Sequence, residues 1–260
     1  MGEFQSWNEY GVFADFVKRK ARYVLDERSK QFLRIVQETS TTRQTHLPVG
    51  SPLWRAQLGH DWSTKAIPAF MQEDVGGLTE CLAPHPFSEQ RMRPLVDRAV
   101  EGRVNAKGIP CMYLAFNDST AMSEVRPWIG SLVSVAQFTT SKHLRLVDSL
   151  FDWGYSSNYH DGCDEPDPAK REQSVWSQIN YAFSEPVTRS DDLADYAPTQ
   201  VLAEAIRDAG YDGVIYESRL AEEGKNLAVF DLDFVTFVTC ALHRVDQIRF
   251  EFTPISKDYV

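Results

Sequence analysis

The stretch "EGRVNAKGIPCMYLAFNDSTAMSEVRP", Glu101–Pro127, decides how this chain is read. Gly102 and Gly108 bracket a turn, "PCMYLAF" (Pro110–Phe116) reads as an apolar strand, and "DSTAMSEV" reads as a short helix. Pro127 stops that helix, because its ring removes the N–H that the next turn would need. Asp118 or Ser119 is the expected N-cap, a short polar side chain able to accept from the first free backbone N–H groups. Four polar residues, Arg103, Asn105, Tyr113 and Glu124, fall within this one passage, more than scaffold requires. Glu124 is not the acid of a capping box, since that position would be 121 or 122, which are Ala and Met.

Toward the C-terminus, "GSLVSVAQFTT" and "LRLVDS" read as strands and residues 152–172 as a loop. "REQSVWSQINYAFSEPV" suggests a helix ending near Phe183. "PTQVLAEAIRDAG" is the clearest helix: Val201, Leu202, Ala205, Ile206 and Ala209 form one apolar face, Pro198 suits the first turn, and Gly210 suits the C-terminal cap. "YDGVIYES" turns at Asp212-Gly213 into a strand, and "NLAVFDLDFVTFV" supplies one or two more. Toward the N-terminus, residues 8–40 have helical spacing with a break at Asp26, and "ETSTTRQTHLPVGSP" reads as a linker. "LWRAQLG", Leu53–Gly59, resembles a short strand, and residues 60–100 read as a long ordered loop or lid. Strands and helices mix without strict alternation, so the expected class is α+β, with an N-terminal helical extension (1–46) and a main domain (47–260).

The chain has 260 residues, is 43% hydrophobic and 25% charged, and so can bury a real core. No apolar run is long enough for a membrane span, and "MGEFQSWNEYGVF" lacks the basic-then-apolar order of a secretory signal. "MGEFQS" meets the bare M-G-x-x-x-[ST] pattern, which is too short to carry a lipidation site. A cytoplasmic protein is therefore expected. The net charge of −10 and the lack of a basic patch argue against direct nucleic-acid binding. They leave room for an anionic small ligand, which a local pair of arginines can hold. Cys81, Cys111, Cys163 and Cys240 are scattered as reduced thiols would be. His160 and Cys163 in "YHDGCDEPDP" have ligand-like spacing but no second pair, so no metal site is expected. P-loop, G-x-G-x-x-G and G-x-S-x-G signatures are absent.

Three places carry candidate chemistry. Arg55 follows the strand-like Leu53-Trp54, where a planar guanidinium suits a phosphate; its plain alternative is a surface arginine at a strand end. The opening stretch supplies Arg103, Asn105, Tyr113 and Glu124; a core aromatic and a solvated helix acid are the plain alternatives for the last two. In "VIYESRLAEEGKNLAVF", Ser218 ends a buried-looking strand and Asn226 opens the next, which alone is an ordinary hairpin with a polar loop.

Together, and in this order, these places resemble the RES-domain family, named for an arginine, a glutamate and a serine. Arg55 in "LWRAQ", Glu124 and Ser218 match the three naming residues. The family's middle block, G-R-x-N-x-x-G-x-P-x-x-Y-x-A, is met at Gly102, Arg103, Asn105, Gly108, Pro110, Tyr113 and Ala115. The resemblance runs from about residue 45 to residue 235, with longer segments than compact members at 59–98 and 150–190. It implies an ADP-ribosyltransferase-like mixed β core with flanking helices. It also implies an enzyme that consumes NAD⁺ by cleaving the nicotinamide–ribose bond, with water or inorganic phosphate as acceptor, as toxins of bacterial toxin–antitoxin pairs do.

The residue types suit that chemistry. Arg55 and Arg103 can clamp a pyrophosphate. Glu124 can stabilise an oxocarbenium-like ribosyl centre, as carboxylates do in glycoside cleavage. Tyr113 can stack on nicotinamide or wall the ribose, Ser218 can orient the ribose or carboxamide, and Asn105 and Asn226 complete the expected NAD⁺-binding set. NAD⁺ enters as substrate, so no resident cofactor is expected. The expected partner is an Xre-type antitoxin, and a homo-oligomer stays open. Two rival readings keep the same residues: a protein ADP-ribosyltransferase, and a non-catalytic module that binds NAD⁺ or docks a partner.

Overall fold

Two amphipathic helices, α1 (Glu9–Arg19) and α2 (Glu27–Thr39), open the computed structural model, which describes residues 2–72, 79–150, 166–185, 193–249 and 252–253. The break between them falls at Asp26, whose side chain caps α2 by accepting from Ser29 N at 2.8 Å. The stretch read as a linker is not one. It forms a 3₁₀ turn, Ser40–Arg43, and strand β1, Gln44–Leu47. Position 46/47 thus lies inside a strand.

β2 (Pro52–Leu58) follows, then β3 (Asp61–Ala66), a single helical turn α3 (Ala69–Gln72), β4 (Glu80–His85) and a second single turn α4 (Glu89–Met92). The expected loop at 60–100 therefore contains a two-stranded antiparallel hairpin of β3 and β4. Its strands are mostly exposed, so they lack the apolar alternation that marks a core strand. β5 (Met112–Ala115) and α5 (Asp118–Glu124) come from the opening stretch. The N-cap of α5 is Asn117, one residue before the expected Asp118 or Ser119; its Oδ1 accepts from Thr120 N at 2.7 Å. β6 (Leu132–Thr140), β7 (Leu144–Asp148), α6 (Pro168–Ser184), α7 (Ala197–Asp208), β8 (Gly213–Glu217), β9 (Lys225–Val229) and β10 (Val235–Arg244) complete the order. α6 begins earlier than its apolar period suggested, because Asp167 caps it and Pro168 occupies the first turn.

Eight strands form one mixed sheet in the order β1-β7-β8-β9-β5-β2-β6-β10, parallel only between β7 and β8. Both faces are covered. On one, Val17, Phe32, Trp176, Ile179, Leu202 and Ile206 of the long helices pack on Val214 and Ala228. On the other, Phe87 and Met92 join Leu53, Phe138, Leu146, Leu227 and Val229. Burial of both faces explains why the central strands read as unbroken apolar runs. The N-terminal helices share the first cluster with the sheet, so their apolar stripes are covered within this chain. The α+β expectation of a mixed β core with flanking helices and N-terminal helices is what the structure shows.

One irregularity positions the site. β2 and β5 are neighbours, yet their ladder is limited to Trp54↔Ala115. Arg55 reaches across the break, its Nη1 donating to the backbone carbonyl of Tyr113 at 3.3 Å.

Candidate active site

A cavity of about 290 Å³ opens at that break, at the small end of ligand pockets (about 300–1,000 Å³). Arg55 from β2, Arg103 from the glycine turn, Tyr113 from β5, Glu124 from α5 and Asn226 from β9 all line it. Strand register brings them together: Ala115 pairs with Asn226, and Asn226 pairs with Tyr216. α5 packs against β2, β5 and β6, which sets Glu124 over the same gap.

The Glu124 carboxylate is held from one side. Ser218 Oγ donates to Oε1 at 2.6 Å, and Asn226 Nδ2 donates to the same oxygen at 2.7 Å. Among the described residues no donor is bonded to Oε2. A carboxylate fixed through one oxygen keeps its charge aimed in one direction without consuming the second oxygen. Ser218 is 3% exposed and does not line the cavity itself. Its backbone is fixed by Ser218 N donating to Gly224 O at 2.8 Å, and a Cβ on Gly224 would meet Ser218 Cβ at 2.9 Å and Thr120 Oγ1 at 2.9 Å. The turn between β8 and β9 therefore needs glycine at 224 for Ser218 to sit where it does.

Tyr113 and Asn105 form a second rigid unit. Tyr113 Oη donates to Asn105 Oδ1 at 2.7 Å and accepts from Val104 N at 2.9 Å. Asn105 Nδ2 donates to the carbonyls of Val100 at 3.0 Å and Ile109 at 2.8 Å. The asparagine amide is spent on the loop, so Asn105 acts through Tyr113. A Cβ on Gly102 would lie 2.5 Å from Tyr113 Oη, so a side chain there cannot coexist with this bond. Arg103 Nη1 donates to Phe183 O at 2.9 Å, tying the turn to α6.

Burial raises the Tyr113 phenol well above its ordinary value, with Cys111 and Tyr216 adding to the effect. Tyr216 is raised by burial first and by the Glu124 charge second. Burial lowers the Arg55 guanidinium against the opposing pull of Cys111 and Tyr113. The Cys111 thiol, pushed up to about 12 by burial, donates to Val229 O and is no nucleophile. Among the described residues no cluster of His, Cys, Asp or Glu could hold a metal ion; His160 and Cys163 lie outside them. Among those residues, too, no helix is long and apolar enough to cross a membrane.

Three aromatics that sequence reasoning missed also line the cavity: Trp54, Tyr196 and Tyr216. Trp54 stood beside Arg55, and strand alternation placed Tyr216 on the face of Val214. Tyr196, at the start of α7, carried no signal, because only the packing of α7 brings it to the sheet.

Among curated proteins the sequence finds no match. Among solved structures, the chain is similar to the M. tuberculosis MbcT–MbcA toxin–antitoxin complex, at 11% identity over 80% of this chain and 92% of that chain, with a TM-score of 0.38. The family model described as RES domain matches residues 79–253. That span starts later than the resemblance read from the motifs, leaving out Arg55, but contains Arg103, Tyr113, Glu124, Ser218 and Asn226. It covers more than half of the chain, and the chain belongs to the RES-domain family.

Proposed function

We propose that this protein is an NAD⁺-consuming enzyme that cleaves the nicotinamide–ribose bond, acting as a toxin. One observation carries the reading: a carboxylate, Glu124, is held through a single oxygen by Ser218 and Asn226 in a cavity that also presents two arginines. Family membership supports the same chemistry.

In the proposed reaction the C1′–N bond breaks and its electron pair stays on the nicotinamide nitrogen, which leaves neutral. The ribosyl carbon becomes oxocarbenium-like, and the fixed Glu124 charge stabilises it at no cost of reorganisation. An oxygen of water or phosphate then bonds to C1′; with water, the surplus proton is released. Arg55 and Arg103 hold the phosphates of the substrate, and the Tyr113 and Tyr216 rings wall the reacting half. Asn105 and Ser218 are positioning residues: the first fixes Tyr113, the second fixes Glu124. An antitoxin partner of the Xre type and action in the cytoplasm belong to the same proposal.

The test is proton and phosphorus NMR of NAD⁺ incubated with the pure protein, with and without phosphate, beside Glu124→Gln. The expected result is nicotinamide release that the variant loses; the phosphorus spectrum then reports which acceptor is used. Intact NAD⁺ in every tube would refute cleavage, and label transferred to a protein would establish ADP-ribosyl transfer instead.

A further inference from the structure

A second cavity, of about 300 Å³, adjoins the first, and Arg55 and Tyr113 line both. Its wall is unusual for a chain with a net charge of −10. Arg55, Arg91, Arg93 and Arg98 line it, with Gln57 and Gln90, and no carboxylate among the described residues does. Arg93 is committed elsewhere: it pairs with Glu89 at 3.0 Å and donates to the carbonyls of Leu232 and Val235 at 3.1 Å each. Arg91 and Arg98 are not, and Arg55 spends only Nη1, on the Tyr113 carbonyl at 3.3 Å. Arg91 lies over the Phe87 ring, 4.8 Å from its centroid, and neither it nor Arg98 has an ion-pair or side-chain hydrogen-bond partner among the described residues. Arg55 Nε is shielded from solvent with no hydrogen-bond partner among those residues.

That unbonded N–H costs the fold roughly 1–3 kcal/mol; being closed to solvent it does not itself face the cavity, which Arg55 lines with its other atoms. Cations that converge without a counter-charge repel one another until an anion joins them. The neighbouring thiol, Cys111, is buried and bonded to Val229 O, so the cavity offers donors and no nucleophile.

We infer that this second cavity is a binding site for a phosphate oxyanion, held by Arg55 together with Arg91 and Arg98. Guanidinium forks match the geometry of such an anion, and three of them exceed what a carboxylate would need. The anion is either free inorganic phosphate or a phosphate of a bound nucleotide. In the NAD⁺-cleaving reading, on which only this second role rests, Arg55 would hold phosphate on both of its sides.

The experiment is isothermal titration of four proteins: the unaltered chain, Arg91→Ala/Arg98→Ala, and Glu124→Gln with and without that double change. Both arginines are exposed, so the double variant is expected to fold, and its thermal melt controls for that. Inorganic phosphate is titrated into all of them, and NAD⁺ into the Glu124→Gln pair. Each charge-assisted contact removed should weaken the anion about tenfold or more. Phosphate binding weakened by the double change, with NAD⁺ binding retained, assigns the site to free phosphate. NAD⁺ binding weakened in parallel, and competed by inorganic phosphate, assigns it to the nucleotide. Equal affinities for both probes with and without Arg91 and Arg98, or no phosphate binding at all, would overturn the inference even if NAD⁺ is cleaved. Arginine-dependent phosphate binding without any NAD⁺ cleavage would keep the inference and sink the functional reading.

Discussion

Replacing Ser218 by alanine removes one of the two donors that hold Glu124, and it does so without touching the cavity wall. The lost bond is short, 2.6 Å, and ends on a carboxylate, the class worth about 1.5–3 kcal/mol. Water is a poor substitute, since Ser218 is 3% exposed. Asn226 still holds the same oxygen at 2.7 Å, so the carboxylate loosens and does not swing away. If the full value is realised only when the ribosyl charge develops, kcat falls about 10- to 100-fold, because each 1.36 kcal/mol is a factor of ten. KM should change little, as Ser218 touches no substrate in this arrangement. The assay is steady-state NAD⁺ consumption for Ser218→Ala, Asn226→Ala and the double variant. The double variant should lose more than the two single losses combined, since after either single change the other donor still holds the same oxygen. A Ser218→Ala protein with unaltered kcat, or one whose only change is a raised KM, would refute the claim that Ser218 acts through Glu124.

Arg55→Lys should lower kcat/KM about 10²-fold or more, as measured by the same assay, because an ammonium cannot donate to Tyr113 O and also present a planar fork to the cavities. Gly102→Ala should lower thermal stability by about 1–3 kcal/mol, since the new methyl would lie 2.5 Å from Tyr113 Oη; adding Tyr113→Phe should recover part of that loss in a melting experiment. The raised Tyr113 and Tyr216 phenols stay protonated in the folded state above their ordinary value, whereas the unfolded chain releases those protons. The folded state then binds more protons, so stability is fully present below about pH 10 and declines as pH rises beyond it. Denaturant melts at pH 8 to 11 should show that decline, and Tyr113→Phe should flatten it; stability that rises with pH there would contradict the burial.

Local chemistry made much of this protein legible in its sequence. The α7 face of Leu202 and Ile206, the Asp26 break and the strand carrying Tyr113 all rest on residues within one turn or one strand of each other. Glu124 was separable from its helix because no capping role explained it, and Arg103, Tyr113 and Gly102 stood in one short motif. What failed locally failed for a reason. β1 has four residues with exposed alternate positions, and its strand character comes from β7, about a hundred residues away. The β3–β4 hairpin buries little, so no apolar period announced it. Asn117 outcompeted Asp118 as cap because the chain direction out of β5, not side-chain type, sets which residue meets Thr120 N.

The roles inside the site were decided only by tertiary structure. Ser218 and Glu124 are 94 positions apart and Asn226 and Glu124 are 102 apart, and nothing in either segment states that two donors end on one carboxylate oxygen. Asn105 looked like a ligand contact until its amide was found bonded to backbone carbonyls. Arg55 acquired two sides only because β2 and β5 part after a single pair. A side chain's type and its near neighbours are written in the chain, and they determine what it can donate, accept or charge. Which of those capacities is left over for a ligand depends on partners supplied by strands that meet across the sheet, and that accounting exists only once the chain has folded.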